Sequence, residues 1–304
     1  MMTLACRSSA WLRGKLRLPL TEMLLLLVAI FWGSSYGVTK SALLFSSVFM
    51  FMAIRFLLTF ALLIVPLVRD FRANRNADWH VAIPSGGILF AIFCCEIVGI
   101  SETTATNAAF LISLSVILTA FMEVVVNRKP LDSYYLLLSV FSVTGVYLLT
   151  YSGQLTLTLN HGDWLILAAA LLRALMVTMT KQLTLGKQIT TLSLTAIQSM
   201  IVGLGAFVLL IMQTEFNLSD IPADLSFWWM TLYLVACCTL FAFFVQNYAV
   251  RKISPTKVSL LMGSEPVFGA LFAYLWLDEA MTLLQFTGAV AILCSVYLAS
   301  VRSA

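Results

Sequence analysis

The chain has 304 residues, of which 61% are hydrophobic and 11% charged, and its mean hydropathy of +0.97 is far above that of a soluble globular domain. The formal net charge is only +4, and beyond it nothing in the sequence points to nucleic acid as a partner. These values exclude a soluble enzyme or binding module and predict an all-α integral membrane protein whose first partner is the lipid bilayer.

Arg7, Arg13, Lys15 and Arg17 precede an apolar run from Glu22 to Leu43. A basic stretch before apolar residues is also the pattern of a signal peptide, but this run is long and lacks a small-x-small cleavage site, so it reads as a retained first span. Further spans follow at Ser47 to Leu67, Val81 to Ser101, Thr104 to Val126, Ser133 to Tyr151 and Asp163 to Lys181. The last four run from Leu192 to Met212, Phe227 to Ala249, Thr256 to Trp276 and Leu283 to Val301, ten in all. The connections are short and leave no room for an extramembrane domain.

The charges set an orientation. With a cytoplasmic N-terminus, the inner loops collect Arg69, Arg72, Arg75, Arg128, Lys129, Lys187, Arg251, Lys252 and Arg302. The outer loops carry Glu102, Asp163, Glu215, Asp220, Asp224, Asp278 and Glu279. This is the positive-inside pattern of the cell (inner or plasma) membrane, with both termini in the cytoplasm. Cys94, Cys95, Cys237, Cys238 and Cys294 lie inside apolar runs, where a thiol acts as a small hydrophobe. His80 and His161 sit at span ends and form no metal cluster with each other.

An internal repeat is visible. Sliding the chain by about 150 residues sets Thr104 to Ser115 on Ser254 to Glu265, Asn107 on Lys257, Glu96 on Gln246, and Gly145-Val146-Tyr147-Leu148 on Ser295-Val296-Tyr297-Leu298. A slightly smaller offset sets Phe31-Trp32-Gly33 on Leu172-Arg173-Ala174, and Lys40 on Lys181. The chain therefore divides into a basic cytoplasmic segment 1–21, a first five-helix repeat 22–151, an extracytoplasmic linker 152–162, a second repeat 163–301 and a cytoplasmic end 302–304. Five is odd, so the halves enter the membrane in opposite senses and form an inverted repeat, the architecture of carriers that open alternately to each face.

The ninth span holds Glu265 followed by Pro266, with Gly263 just before them. A carboxylate near the bilayer midplane costs at least about 2.5 kcal/mol, and the proline leaves the Met262 carbonyl without its donor. Broken backbone at this depth is tolerated only against protein or a wet cavity, so this helix is expected to wall a polar site. Glu265 reads either as a proton carrier or as the structural or gating partner of Arg55 or Arg173. Arg55, midway along the second span, reads as a substrate or counter-ion site or as a structural arginine; Arg173 has the same chemistry.

Other polar residues complete the expected pathway. Glu96 and Gln246 are expected at the mouth of the cavity. Trp32 offers an aromatic face at the level of Ser34 and Tyr36, whereas Gly33 and Gly37 form a GxxxG spacing expected to pack helices closely. Asn107 and Lys257 read as capping or gating residues, Lys40 and Lys181 as interface anchors, and Glu123 as a residue reaching the headgroups.

These stretches resemble a known family. Phe31-Trp32-Gly33-Ser34-Ser35, Ala53-Ile54-Arg55-Phe56-Leu57-Leu58, Asn107-Ala108-Ala109-Phe110-Leu111, Ile253-Ser254-Pro255-Thr256-Lys257 and the run from Glu265 to Glu279 stand in the order and spacing of the drug/metabolite transporter superfamily, of the ten-helix EamA type. The resemblance implies secondary transport of small solutes, commonly amino acids, other metabolites or drugs, and mostly outward. Two departures stand out: Arg128-Lys129-Pro130 replaces the usual Gly-Glu-Arg after the fourth helix, and Arg173 replaces a Trp in the sixth.

Competing classes fare worse. No His-Glu-x-x-His, Gly-x-Ser-x-Gly or Gly-x-x-x-x-Gly-Lys-Ser/Thr motif is present, which argues against a membrane enzyme and against ATP-driven pumping. A channel-like facilitator is the second reading. The expectation is thus a transporter of a small-molecule substrate, with no cofactor, a proton as candidate coupling ion, and a site that a monomer can enclose.

Overall fold

A computed structural model of the protein describes residues 20–103, 105–151, 159–213, 221–276 and 281–302. The basic residues Arg7 to Arg17, most of the 152–162 linker, Thr104, and the loop acids Glu215, Asp220, Asp278 and Glu279 lie outside the described residues.

The first half contains α1 (Leu20–Ala42), α2 (Val48–Arg72), a 3-10 turn (Trp79–Val81) running into α3 (Ala82–Glu102), α4 (Ala105–Ser113), α5 (Ser115–Asn127) and α6 (Ser133–Thr150). The second contains α7 (His161–Thr184), α8 (Thr191–Gln213), α9 (Leu225–Tyr233), a π-helical segment (Leu234–Phe241), α10 (Ala242–Lys252), α11 (Pro255–Met262), α12 (Glu265–Trp276) and α13 (Leu283–Val301). Among the described residues, nine helical stretches are each long and apolar enough to cross a membrane. The tenth expected crossing is made by α11 and α12 together, which are too short singly.

Local chemistry explains these limits. Asn160 and Asp163 form a reciprocal capping box at the start of α7, as Thr282 and Gln285 do for α13. Ser254 caps α11 by accepting from the Lys257 N–H, with Pro255 in the first turn, where its missing N–H is harmless. Pro266 likewise occupies the first turn of α12, so it starts a new helix and the chain breaks before it, at Gly263 and Ser264.

The span expected as one helix from Thr104 to Val126 is also divided. Its backbone tightens at Leu114, whose N–H reaches back only three residues to Leu111 at 3.2 Å, while Ser113 Oγ bonds the Phe110 carbonyl at 2.6 Å. Leu114 falls on Ser264 in the repeat, so both halves interrupt their fourth helix at the same place.

Matched helices of the two halves lie antiparallel. Asp70, near the end of α2, accepts from Thr190, just before α8, at 2.6 Å, and Leu57 packs on Gly203 farther along. Asp132, ahead of α6, takes Arg302, beyond α13, at 3.1 Å, and Thr119 of α5 meets Ser259 of α11 at 3.0 Å. The opposed directions of these three pairs are the geometry of an inverted repeat. Gly145 and Gly288 let α6 and α13 touch backbone to backbone: a Cβ on Gly288 would stand 2.5 Å from the Gly145 carbonyl oxygen.

Glu123 does not reach out to headgroups. It is 8% exposed, and its carboxylate accepts from the Thr256 N–H at 3.1 Å and the Thr256 hydroxyl at 2.6 Å. The unpaired N–H groups at the start of α11 draw a negative charge inward. Lys181 also points to protein, donating to the carbonyls of Arg251 and Ile253 at the end of α10.

Candidate functional site

Helices α1, α3, α7, α10 and α12 bring their polar residues to one level. Arg173 Nη2 of α7 lies 3.8 Å from Glu265 Oε2, the first residue of α12, with side chains 18% and 9% exposed. The guanidinium also stacks on Trp32 of α1, 4.9 Å from the ring centroid. At 3.8 Å, and through a single contact, this pair is looser than a bidentate bridge. Tyr36, one turn beyond Trp32, sets its buried hydroxyl against both charged groups.

The same residues separate two spaces. On one side is a cavity of about 450 Å³, with Ser34, Ser113, Ser115, Thr150 and Ser259 in its lining. On the other is a crevice of about 40 Å³, lined by Trp32, Arg55, Phe93 and Glu96 and roomy enough for little more than water. Tyr36, Arg173, Gln246 and Glu265 border both. Gln246 is buried, and its Oε1 has no hydrogen-bond partner, so an acceptor is left open beside the wall.

Arg55 is held deeper. Its Nε donates to Thr239 Oγ1 at 2.7 Å, and it lies 5.6 and 5.5 Å from the ring centroids of Phe56 and Phe93. The π-helical segment makes this contact: Thr239 Oγ1 turns back to the Leu234 carbonyl at 2.8 Å, and the Cys238 carbonyl accepts from Trp32 Nε1 at 2.9 Å. A wide turn thus presents one hydroxyl and one carbonyl to the pathway.

The EamA-like transporter family matches residues 19–151 and again 160–301. The chain belongs to that family. It is a multi-pass membrane transporter. An uncharacterized transporter of Archaeoglobus fulgidus is 27% identical over 91% of this chain and 85% of its own length. The uncharacterized transporter YyaM of Bacillus subtilis is 23% identical over 91% of this chain and 92% of its own. A solved crystal structure covers 91% of this chain and 94% of its own at a TM-score of 0.75 and 13% identity, which shows a shared fold alone.

Within this transporter, Trp32, Tyr36, Arg55, Glu96, Arg173, Gln246 and Glu265 border one crevice, and Gly33, Ser34, Gly37, Gly263 and Pro266 line the larger cavity. Glu96 and Gln246 both line the smaller crevice together with Arg173. Asn107 is outside both linings. Helix α4 turns Ala109, Ile112 and Ser113 to the cavity, and Asn107, two residues before Ala109, projects to another side. Gly33 meets the backbone of Gly269, as a packing glycine should. Gly37 does not: a Cβ there would find nothing within 4 Å, because the helix has already parted from α12 at the cavity. Of the cavity's Ser and Thr residues only Ser34 was expected from the sequence, and Thr239 was not, since single Ser and Thr residues in apolar helices usually bond their own backbone.

Proposed function

We propose that this transporter is a secondary-active carrier that moves small metabolites such as amino acids, or drugs, outward across the cell membrane by alternating access between its two halves. The observation that carries this reading is the 450 Å³ cavity, which lies between helices of both repeats and ends on the wall of Tyr36, Arg173, Gln246 and Glu265. Its volume suits a small organic solute. Two guanidinium groups and two carboxylates near the floor favour a solute with polar or charged ends over a hydrocarbon. Behind the wall the space shrinks to 40 Å³, which favours a carrier over an open pore.

Glu265 is the candidate proton site, facing Arg173, Tyr36 and Glu96. Charge placement in the loops supports cytoplasmic termini. The test starts with cells overexpressing the protein, challenged with toxic amino-acid analogues and cationic drugs. A compound that becomes tolerated is then loaded into proteoliposomes. Saturable, trans-stimulated exchange supports the carrier; linear flux without trans-stimulation supports the channel reading instead.

A further inference from the structure

Glu22, in the first turn of α1, and Lys257, in the first turn of α11, form an ion pair of 2.9 Å with side chains only 3% and 5% exposed. It joins the two halves of the chain. Lys257 Nζ also donates to the Arg302 carbonyl at 3.3 Å, just past α13, while Glu22 Oε2 is buried without a hydrogen-bond partner. One residue before Lys257, Thr256 is held by Glu123. This tied end of the bundle is the one opposite Thr150 and Gln285, toward which the large cavity runs.

A buried ion pair is a poor device for stability, because desolvation offsets much of the attraction and an apolar pair packs as well. It is a good device for holding one of two states, since each charge faces the other when joined and both are hydrated when water enters between them. We propose that Glu22 and Lys257 form the latch that keeps this end of the carrier shut while the cavity is reached from the other. The proposal rests on the alternating-access reading above.

The repeat explains why such a latch would be one-sided. The offset that sets Lys40 on Lys181 also sets Glu22 on Asp163, and Lys257 matches Asn107. The counterpart at the opposite end is therefore an acid and an amide, which cannot make an ion pair. Asp163 instead accepts from the Thr103 hydroxyl, in the first half, and from the Asn160 N–H. Glu102 lies 2.6 Å from His161 at that end, but the positions matching Glu22 and Lys257 cannot tie it as a carboxylate–ammonium pair, so the latch belongs to one end alone.

Impermeant-maleimide labelling tests this without knowledge of the substrate. In a background lacking the native cysteines, Leu25→Cys sits one turn from Glu22 and is fully buried, whereas Thr150→Cys reports the opposite end. Truncating one partner strands the other as a buried charge, so Lys257→Met or Glu22→Gln is expected to raise Leu25→Cys labelling at least about tenfold and to lower that of Thr150→Cys. The charge-reversed pair, Glu22→Lys with Lys257→Glu, is expected to return both toward wild type. Unchanged labelling in either single variant, with the protein monodisperse, overturns the latch, as does a reversed pair labelled like the singles. Linear, non-saturating flux without trans-stimulation in the wild type, with the labelling pattern intact, would instead sink the carrier reading.

Discussion

Gly33 and Gly269 meet backbone to backbone: a Cβ on Gly33 would lie 2.7 Å from the Gly269 nitrogen and 2.8 Å from the Glu265 carbonyl oxygen. This contact seats α12 on α1 directly below the residues that floor the cavity. Because the obstructing atoms are backbone, they cannot swing aside. Gly33→Ala is expected to destabilise the protein by about 1–3 kcal/mol through overpacking, and Gly37→Ala by less than about 0.5 kcal/mol. Thermal unfolding in detergent compares the two.

Arg55→Gln and Glu265→Gln are expected to lower transport at least about tenfold, equivalent to about 1.4 kcal/mol, at equal membrane expression. Gln replaces the Glu265 carboxylate isosterically and the Arg55 guanidinium with a shorter amide, so in each case a charge leaves the pathway. The measurement is initial flux of whichever compound the tolerance screen identifies. Wild-type flux with wild-type pH dependence in both variants would remove these residues from the site.

Glu123 offers a test of how α11 is anchored. Its carboxylate takes both the N–H and the hydroxyl of Thr256, so Glu123→Ala is expected to cost about 1.5–3 kcal/mol, the range for hydrogen bonds to a charged group. Glu123→Gln keeps an acceptor and should lose about half as much. Equal melting temperatures for wild type and Glu123→Ala would show that the cap contributes nothing.

The loop before α8 should respond to acid. The Gln188 N–H donates to Asp78 Oδ2 at 2.9 Å, and this bond, followed by Lys187, holds the Asp78 carboxylate below its usual range. A lowered folded pKa adds stability above the unfolded value of about 3.9, and that stability is lost as pH falls through the folded pKa. Protection of the Gln188 amide, corrected for intrinsic exchange, should therefore fall below about pH 4. In Asp78→Asn the lower protection should already be present at pH 7.

Much of this architecture could be read from the chain because membrane insertion leaves few choices. Apolar runs of spanning length, basic residues confined to alternate loops and the Glu265-Pro266 break each follow from the energetics of lipid. What stayed hidden depends on distant partners. Lys257 was recognisable as unusual, but nothing local couples it to Glu22 across more than two hundred positions. Glu123 looked like a residue within reach of headgroups until the start of α11 was found against it. The turn at Leu114 has no proline or glycine to announce it, and Gly37 shares the spacing of Gly33 while facing open space.

The wide turn from Leu234 to Phe241 has no match in α3, the equivalent helix of the other half, which is regular α-helix from Ala82 to Glu102. One of the two rods is therefore softer in bending than its mate. Swinging open toward one face and swinging open toward the other cannot be mirror-image motions, however alike the two quintets look in outline. The maximal speeds of influx and efflux through this carrier should therefore differ, and detailed balance requires the half-saturating concentrations on the two faces to differ by the same factor, so that equal solute on both sides of an unpolarised membrane gives no net flow.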